Sequence, residues 1–146
     1  MFEEQTRPAN VLLVEDNPGD VRLMREALRN GRCGKNMDAV ENGEEALAYL
    51  RRVPPYSEVP KPDLIFLDLN LPKKDGREVL LEIKQDDALR RIPVVVLTTS
   101  EAERDILRAY DLHANCYVKK PTELDEYMEV IRACENFWLH IVRLPR

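Results

Sequence analysis

The sequence predicts an α/β fold: one parallel sheet of five strands, doubly wound by five helices. Three observations carry this. Short apolar runs alternate strictly with amphipathic stretches along the chain. The apolar runs are continuous, as in strands covered on both faces, and do not alternate apolar with polar. The 146 residues match a single domain at about 150 residues each. That single domain is expected to span residues 1–146, with an apolar extension over 136–146.

Val11–Val14 reads VLLV and is the first strand. Asn17 and Pro18 then provide a helix cap and a first-turn proline. Val21, Met24, Ala27 and Leu28 follow at helical spacing. Gly31 and Gly34 punctuate the next turn, and Met37–Val40 is a short second strand. Residues 43–52 form a helix with Ala46, Leu47 and Leu50 inward. Four prolines within 53–62 enforce a loop, because proline lacks an N–H and fixes φ. Leu64–Leu67 (LIFL) is the third strand, and a turn with Pro72 and Gly76 follows it. Residues 77–85 form a helix with Val79, Leu80 and Ile83 on one side. The β-branched run 92–97 is the fourth strand, 101–112 the fourth helix and 116–118 the fifth strand. Thr122 is placed to cap a last helix running to about Ile141.

Composition excludes several classes. Twenty-two basic residues against 27 acidic leave a net charge of -5, which argues against a nucleic-acid partner. No apolar run approaches the roughly 20 residues of a membrane span. The beginning, MFEEQTRPAN, has no apolar stretch of the kind a secretory leader needs, so a cytoplasmic protein is expected. Cys33, Cys116 and Cys134 show no C-x-x-C spacing and read as reduced, partly buried thiols rather than a disulfide frame or a zinc site.

An open parallel sheet binds ligands beyond the carboxyl ends of its strands, where the strand order reverses. The residues there are Glu15 and Asp16, Asp68, Thr98 and Lys120. Carboxylates gathered this closely repel unless a cation neutralises them. Mg²⁺ suits a site of one or two carboxylates that shares its other positions with water and phosphate. Lys120 adds a point charge for a phosphoryl oxygen, and Thr98 adds a hydroxyl donor. A carboxylate in such surroundings can act as a nucleophile and form an acyl phosphate, and Asp68, at the tip of the most apolar strand, is the best placed. Singly, each residue has an ordinary explanation: Asp16 a helix cap, Thr98 a strand residue, Lys120 a surface cation. Their joint placement is what points to a site.

VEDN, LDLNLPKKDG, PVVVLTTS and YVKKP together resemble the motifs of response-regulator receiver domains, over about residues 9–135. The resemblance implies a flavodoxin-like receiver fold that accepts a phosphoryl group from a sensor histidine kinase. It implies Asp68 as phosphoacceptor. Asp16 would ligate Mg²⁺ directly, Glu15 through a water, and Asn70 through its backbone carbonyl, with Mn²⁺ able to substitute. Thr98 would bond the phosphoryl group, Lys120 would form the ion pair, and Tyr117 would be the aromatic that moves with Thr98 in the switch. Asn70, Thr99 and Ser100 would tune the acyl-phosphate lifetime, and the Lys120–Pro121 bond would be cis. Glu15 stands where Asp is commoner. Such a protein is no enzyme beyond its own phosphorylation and dephosphorylation. Phosphatases and nucleases of related topology need a second Asp where this chain has Asn70, which disfavours them. A phosphorylation-independent interaction module is the alternative, disfavoured because Asp68 and Lys120 are both present.

Tyr127, Ile131, Cys134, Trp138 and Ile141 follow one helical stripe, read as core-facing. FWLHIVRL, over 137–144, has six apolar residues in eight, more than one helix face can bury. The excess predicts an interface. This tail, the proline-rich loop and DLHANCYVKKP resemble the single-domain regulators that partner bacterial phytochrome-type kinases. The resemblance implies a homodimer through the fourth helix, fifth strand, fifth helix and tail, with Phe137, Trp138 and Ile141 in contact. Arg22, Arg25 and Arg29 beside Met24 are the expected kinase-facing surface.

Overall fold

The structure is a computed structural model that describes residues 9–29 and 36–145. The turn marked by Gly31 and Gly34, and Cys33 within it, lie outside the described residues. The elements are β1 (Val11–Val14), α1 (Pro18–Arg29), β2 (Met37–Val40), α2 (Gly43–Leu50), β3 (Leu64–Leu67), α3 (Gly76–Gln85), β4 (Val94–Thr98), α4 (Glu103–Asp111), β5 (Cys116–Lys119) and α5 (Leu124–Asn136). A π-helical turn, Phe137–Ile141, continues α5. The strands form one parallel sheet in the order β2-β1-β3-β4-β5. The doubly wound α/β fold expected from the sequence is therefore the fold found.

Strand side chains alternate between the two faces. Leu12, Val14, Ile65, Leu67, Val94 and Val96 pack with α2, α3 and α4 through residues such as Leu47, Leu80, Ile83 and Ala109. Val11, Leu13, Leu64, Phe66, Val95 and Leu97 pack with α1 and α5 through Met24, Leu28, Tyr127 and Ile131. The chain leaves β1 for β2 on one side and β3 on the other. The point of reversal thus lies between β1 and β3, beside Glu15, Asp16 and Asp68.

Several boundaries differ from the sequence reading. Pairing of β4 begins at Val94, opposite Ile65, because Pro93 has no N–H to give. Helix α4 starts at Glu103, with no side-chain cap bond at Ala102. Thr122 does not cap α5: the cap position is Glu123, also without a side-chain bond. Asn17 does cap α1, its Oδ1 accepting from Gly19 and Asp20 N–H at 2.8 and 3.2 Å. The cis peptide bond among the described residues is Pro54–Pro55, not Lys120–Pro121; the trans form is the lower-energy default for an X–Pro bond.

The last helix is also corrected. The Val142 N–H donates to the Phe137 carbonyl at 3.0 Å, a five-residue step that turns the following side chains out of α-helical register. Tyr127 and Ile131 are buried as expected, and Cys134 and Trp138 are half-buried. Ile141 is 53% exposed, and Leu139 takes the inward place instead. Met24, expected beside a surface of arginines, is fully buried.

Gly76 fixes the turn after β3. Its N–H donates to the Leu69 carbonyl at 2.9 Å, and a Cβ there would stand 2.3 Å from the Asp68 carbonyl oxygen. That neighbour is backbone and cannot yield without moving the strand tip. Gly76→Ala is expected to cost about 1 to 3 kcal/mol in urea unfolding, the range of an overpacked core.

Candidate functional site

Backbone pairing positions the site. Beyond β1 and β3 the ladder continues, with Glu15 N–H donating to Val40 (3.0 Å) and Asp68 N–H to Val14 (3.1 Å). Lys120 N–H donates to the Thr98 carbonyl at 2.7 Å, which brings the ends of β4 and β5 alongside. Glu15, Asp68, Thr98 and Lys120 are all buried, and Asp16 is exposed. One carboxylate oxygen from each of Glu15, Asp16 and Asp68 lies within 4.8 Å of the others. The five residues expected at the strand ends are thus brought to one edge.

Lys120 Nζ lies within this group. It donates to Glu15, to Asp20 at 2.8 Å and to Asp68 at 3.3 Å. Glu15 Oε2 also accepts from Asn17 N–H (3.2 Å), and Asp68 Oδ1 from Asn70 N–H (3.2 Å). Burial pushes the Glu15 carboxyl up to about 7; the Lys120 hydrogen bond and charge pull it down, and the Asp68 charge pushes it further up. Burial alone would lower Lys120, but its hydrogen bonds to Asp20 and Glu15, and the surrounding negative charge, hold it above the ordinary lysine value. The ammonium therefore stays charged while buried carboxylates share it. This set of hard oxygen donors, held at too high a density for one ammonium to neutralise, fits a divalent cation.

The Glu15 shift carries a sign. A folded-state value above the unfolded one means the folded chain binds more protons. Its stabilising share is complete below about 4.5 and is lost as pH rises towards 7. Without metal, the unaltered chain is expected to lose up to about 3 kcal/mol across that window by chemical denaturation. Glu15→Gln, which has no proton to lose, should flatten that dependence.

Thr98 Oγ1 is buried and has no hydrogen-bond partner among the described residues. An unpaired buried hydroxyl is costly, and here it stands at the strand end beside the acids. Tyr117 is half-buried against the α2–α3–α4 core; its hydroxyl donates to the Ser100 carbonyl at 2.9 Å. Ser100 Oγ donates to Asp105 at 2.6 Å, and Asp105 pairs with Arg77 at 2.9 Å. This chain of contacts, absent from the sequence reading, ties the turn after β4 to the first turns of α3 and α4. Asp20 was also missed: an acid in a helix's first turn has an ordinary dipole explanation.

Elsewhere the expected surfaces are modified. Arg25 Nη1 donates to the Met37 carbonyl at 3.0 Å, and Arg29 pairs with Glu26 at 2.9 Å. Of the expected contact residues in the tail, Phe137 and Ile141 are exposed, while Trp138 is half-buried and meets Phe137 edge-on at 5.3 Å. Among the described residues no helix is long and apolar enough to cross a membrane.

The sequence matches the response regulator receiver domain over residues 11–132. It is 47% identical over 145 residues to response regulator Rcp1 of Synechocystis sp., with 99% of each chain covered. Among solved structures it resembles the phosphorylated cyanobacterial phytochrome response regulator RcpA, at 51% identity and a TM-score of 0.92 over 95% of this chain and 99% of that one. It also resembles the Mn(2+)-bound form of Rcp1, at 46% identity and a TM-score of 0.90 over 95% and 100% of the two chains. A match across most of the chain, with relatives aligned nearly end to end, carries one conclusion: this chain belongs to the family of response regulator receiver domains.

Proposed function

We propose that the chain is a phosphorylation switch of a two-component pathway, with Asp68 as the phosphoacceptor. The observation that carries this is the approach of Glu15, Asp16 and Asp68 oxygens to within 4.8 Å, with buried Lys120 bonded to Glu15 and Asp68. An Asp68 carboxylate oxygen attacks the phosphorus of a phosphohistidine. The P–N bond breaks, and the imidazole leaves with its electron pair and takes up a proton. Lys120 holds a phosphoryl oxygen, and the unpartnered Thr98 hydroxyl gains an acceptor. Thr98 and Tyr117 then report the change to the α4–β5 surface, a local charge event biasing a two-state element.

Asp16, Asp68 and the Asn70 carbonyl would hold Mg²⁺, with Glu15 acting through water and Mn²⁺ able to substitute. The cation supplies charge neutralisation as the phosphoryl group approaches. Catalysis extends only to the chain's own phosphorylation and dephosphorylation. The test is intact mass after incubation with acetyl phosphate and Mg²⁺: one phosphoryl increment is expected, and its absence, together with silence towards beryllium fluoride, would overturn the reading.

The partner that fits is a cytoplasmic sensor histidine kinase of the phytochrome type, since the chain is similar to the cyanobacterial phytochrome response regulator RcpA. We further propose one receiver unit across the chain, its core over about 9–135, and a homodimer through α4, β5, α5 and the tail. Leu107 and Tyr110 on α4, with Phe137 and Ile141 on the tail, are large exposed apolar groups. Sedimentation should show a dimer, and Phe137→Ser with Ile141→Ser a monomer. That pair leaves the buried Leu139 in place, which a truncation after Asn136 would not. A monomer for the unaltered chain would sink the dimer.

A further inference from the structure

Lys120 has three ammonium hydrogens, and three carboxylates take them. Glu15 and Asp68 belong to the acid cluster; Asp20 stands outside it. The Asp20 bond, at 2.8 Å, is shorter than the 3.3 Å bond to Asp68. Asp20 is held from both sides. Its N–H donates to Asn17 Oδ1 (3.2 Å), and its carbonyl accepts from the Tyr127 hydroxyl of α5 (3.4 Å). Its side chain is 24% exposed, against 2% for Glu15 and 9% for Asp68.

A phosphoryl group on Asp68 brings three new acceptor oxygens, but Lys120 gains no donor. Phosphorylation turns the Asp68 carboxylate into an acyl phosphate and frees the hydrogen it held at 3.3 Å; for Lys120 to give the phosphoryl oxygens a second hydrogen, one of the two remaining acceptors must also be released. Glu15 is enclosed, and a buried carboxylate stripped of its cation is strongly disfavoured. Asp20 faces water that can replace the lost bond. A contact made in one state and released in the other shifts the balance against the second. Its negative charge beside the incoming group acts in the same direction.

We propose, on the basis of the phosphorylation reading above, that Asp20 is a positioning residue that restrains Lys120 in the unphosphorylated state and so limits how tightly the pocket holds a phosphoryl group.

The probe is beryllium fluoride, a phosphoryl mimic, titrated calorimetrically into the full chain at saturating Mg²⁺. Asp20→Ala is expected to bind it about fivefold more tightly, the scale of a partly exposed charge pair. Asp20→Glu, which restores charge and acceptor, should return the wild-type affinity. Asp20→Asn, matching Asp in shape, should fall between them and replaces the alanine variant if that one does not fold. Unchanged affinity in folded Asp20→Ala and Asp20→Asn would mean a structural role only. Weaker binding would mean that Asp20 supports the metal or phosphoryl pocket directly. Failure of Asp20→Glu to restore the affinity would mean a general loosening of α1. Each of these overturns the proposal while leaving the phosphorylation reading intact. Failure of the wild-type chain to bind the probe overturns both.

Discussion

Asp68→Ala is expected to take up no phosphoryl group from acetyl phosphate and Mg²⁺, under conditions where the unaltered chain gains one increment by intact mass. The effect should be complete, because no neighbouring acid can take its place. Glu15 is buried, with one oxygen on Lys120 and the other on Asn17 N–H. Asp16 is exposed and lies two positions beyond the end of β1, whereas Asp68 is buried and directly follows β3. The variant should fold. Lys120 keeps Glu15 and Asp20, and Glu15 loses the like charge that helps to raise its carboxyl. Mg²⁺ should raise the melting temperature of the unaltered chain, since a ligand that binds only the folded state stabilises it. That rise should shrink in Asp68→Ala, which has lost one of the clustered oxygens. A full phosphoryl increment on the variant would move the acceptor elsewhere and sink the assignment.

The parts of this site legible in the sequence were those set by strand geometry. LIFL followed by Asp68 is a buried run that ends in an acid, and a parallel sheet delivers such residues to one edge whatever the helices do. The fold was legible for the same reason: each apolar run has a flanking helix with its own apolar stripe. What escaped depends on side chains meeting from distant parts of the chain. Asp20 reaches Lys120 across 100 positions, and its local setting is an ordinary helix start. The Asp105–Arg77 pair likewise joins two helices whose first turns carry unremarkable charges. The π-turn has no local signature in FWLHI. The five-residue hydrogen bond from Val142 to Phe137 goes with packing of Leu139 against the α1–α5 side of the sheet, and Ile141 leaves the expected stripe.

Lys120→Met should give the largest loss of stability, about 3 to 5 kcal/mol near neutral pH without metal, the cost of leaving buried charges without their partner. Met approximates the aliphatic stem, so the loss isolates the ammonium. Removing it leaves Glu15 and Asp68 buried side by side with no cation between them. Their recourse is protonation, and the sign follows. Glu15 is already raised by burial, and loss of the lysine removes the influence that lowers it, so the defect should shrink as pH falls towards 5 and grow as pH rises through 7. The unaltered chain should show the complementary limb. Lys120 lies above its ordinary value, so its contribution is complete below about 10.5 and is lost only as pH climbs through the alkaline range. Mg²⁺ should restore part of the stability of Lys120→Met by neutralising the same carboxylates, whereas phosphoryl uptake should stay impaired, because the cation does not replace the donor at Nζ. Urea unfolding at pH 5 and 7, with and without Mg²⁺, separates these effects. If Lys120→Met were as stable as the unaltered chain at pH 7 without Mg²⁺, the carboxylates would not depend on Lys120, and the electrostatic account of the pocket would fail.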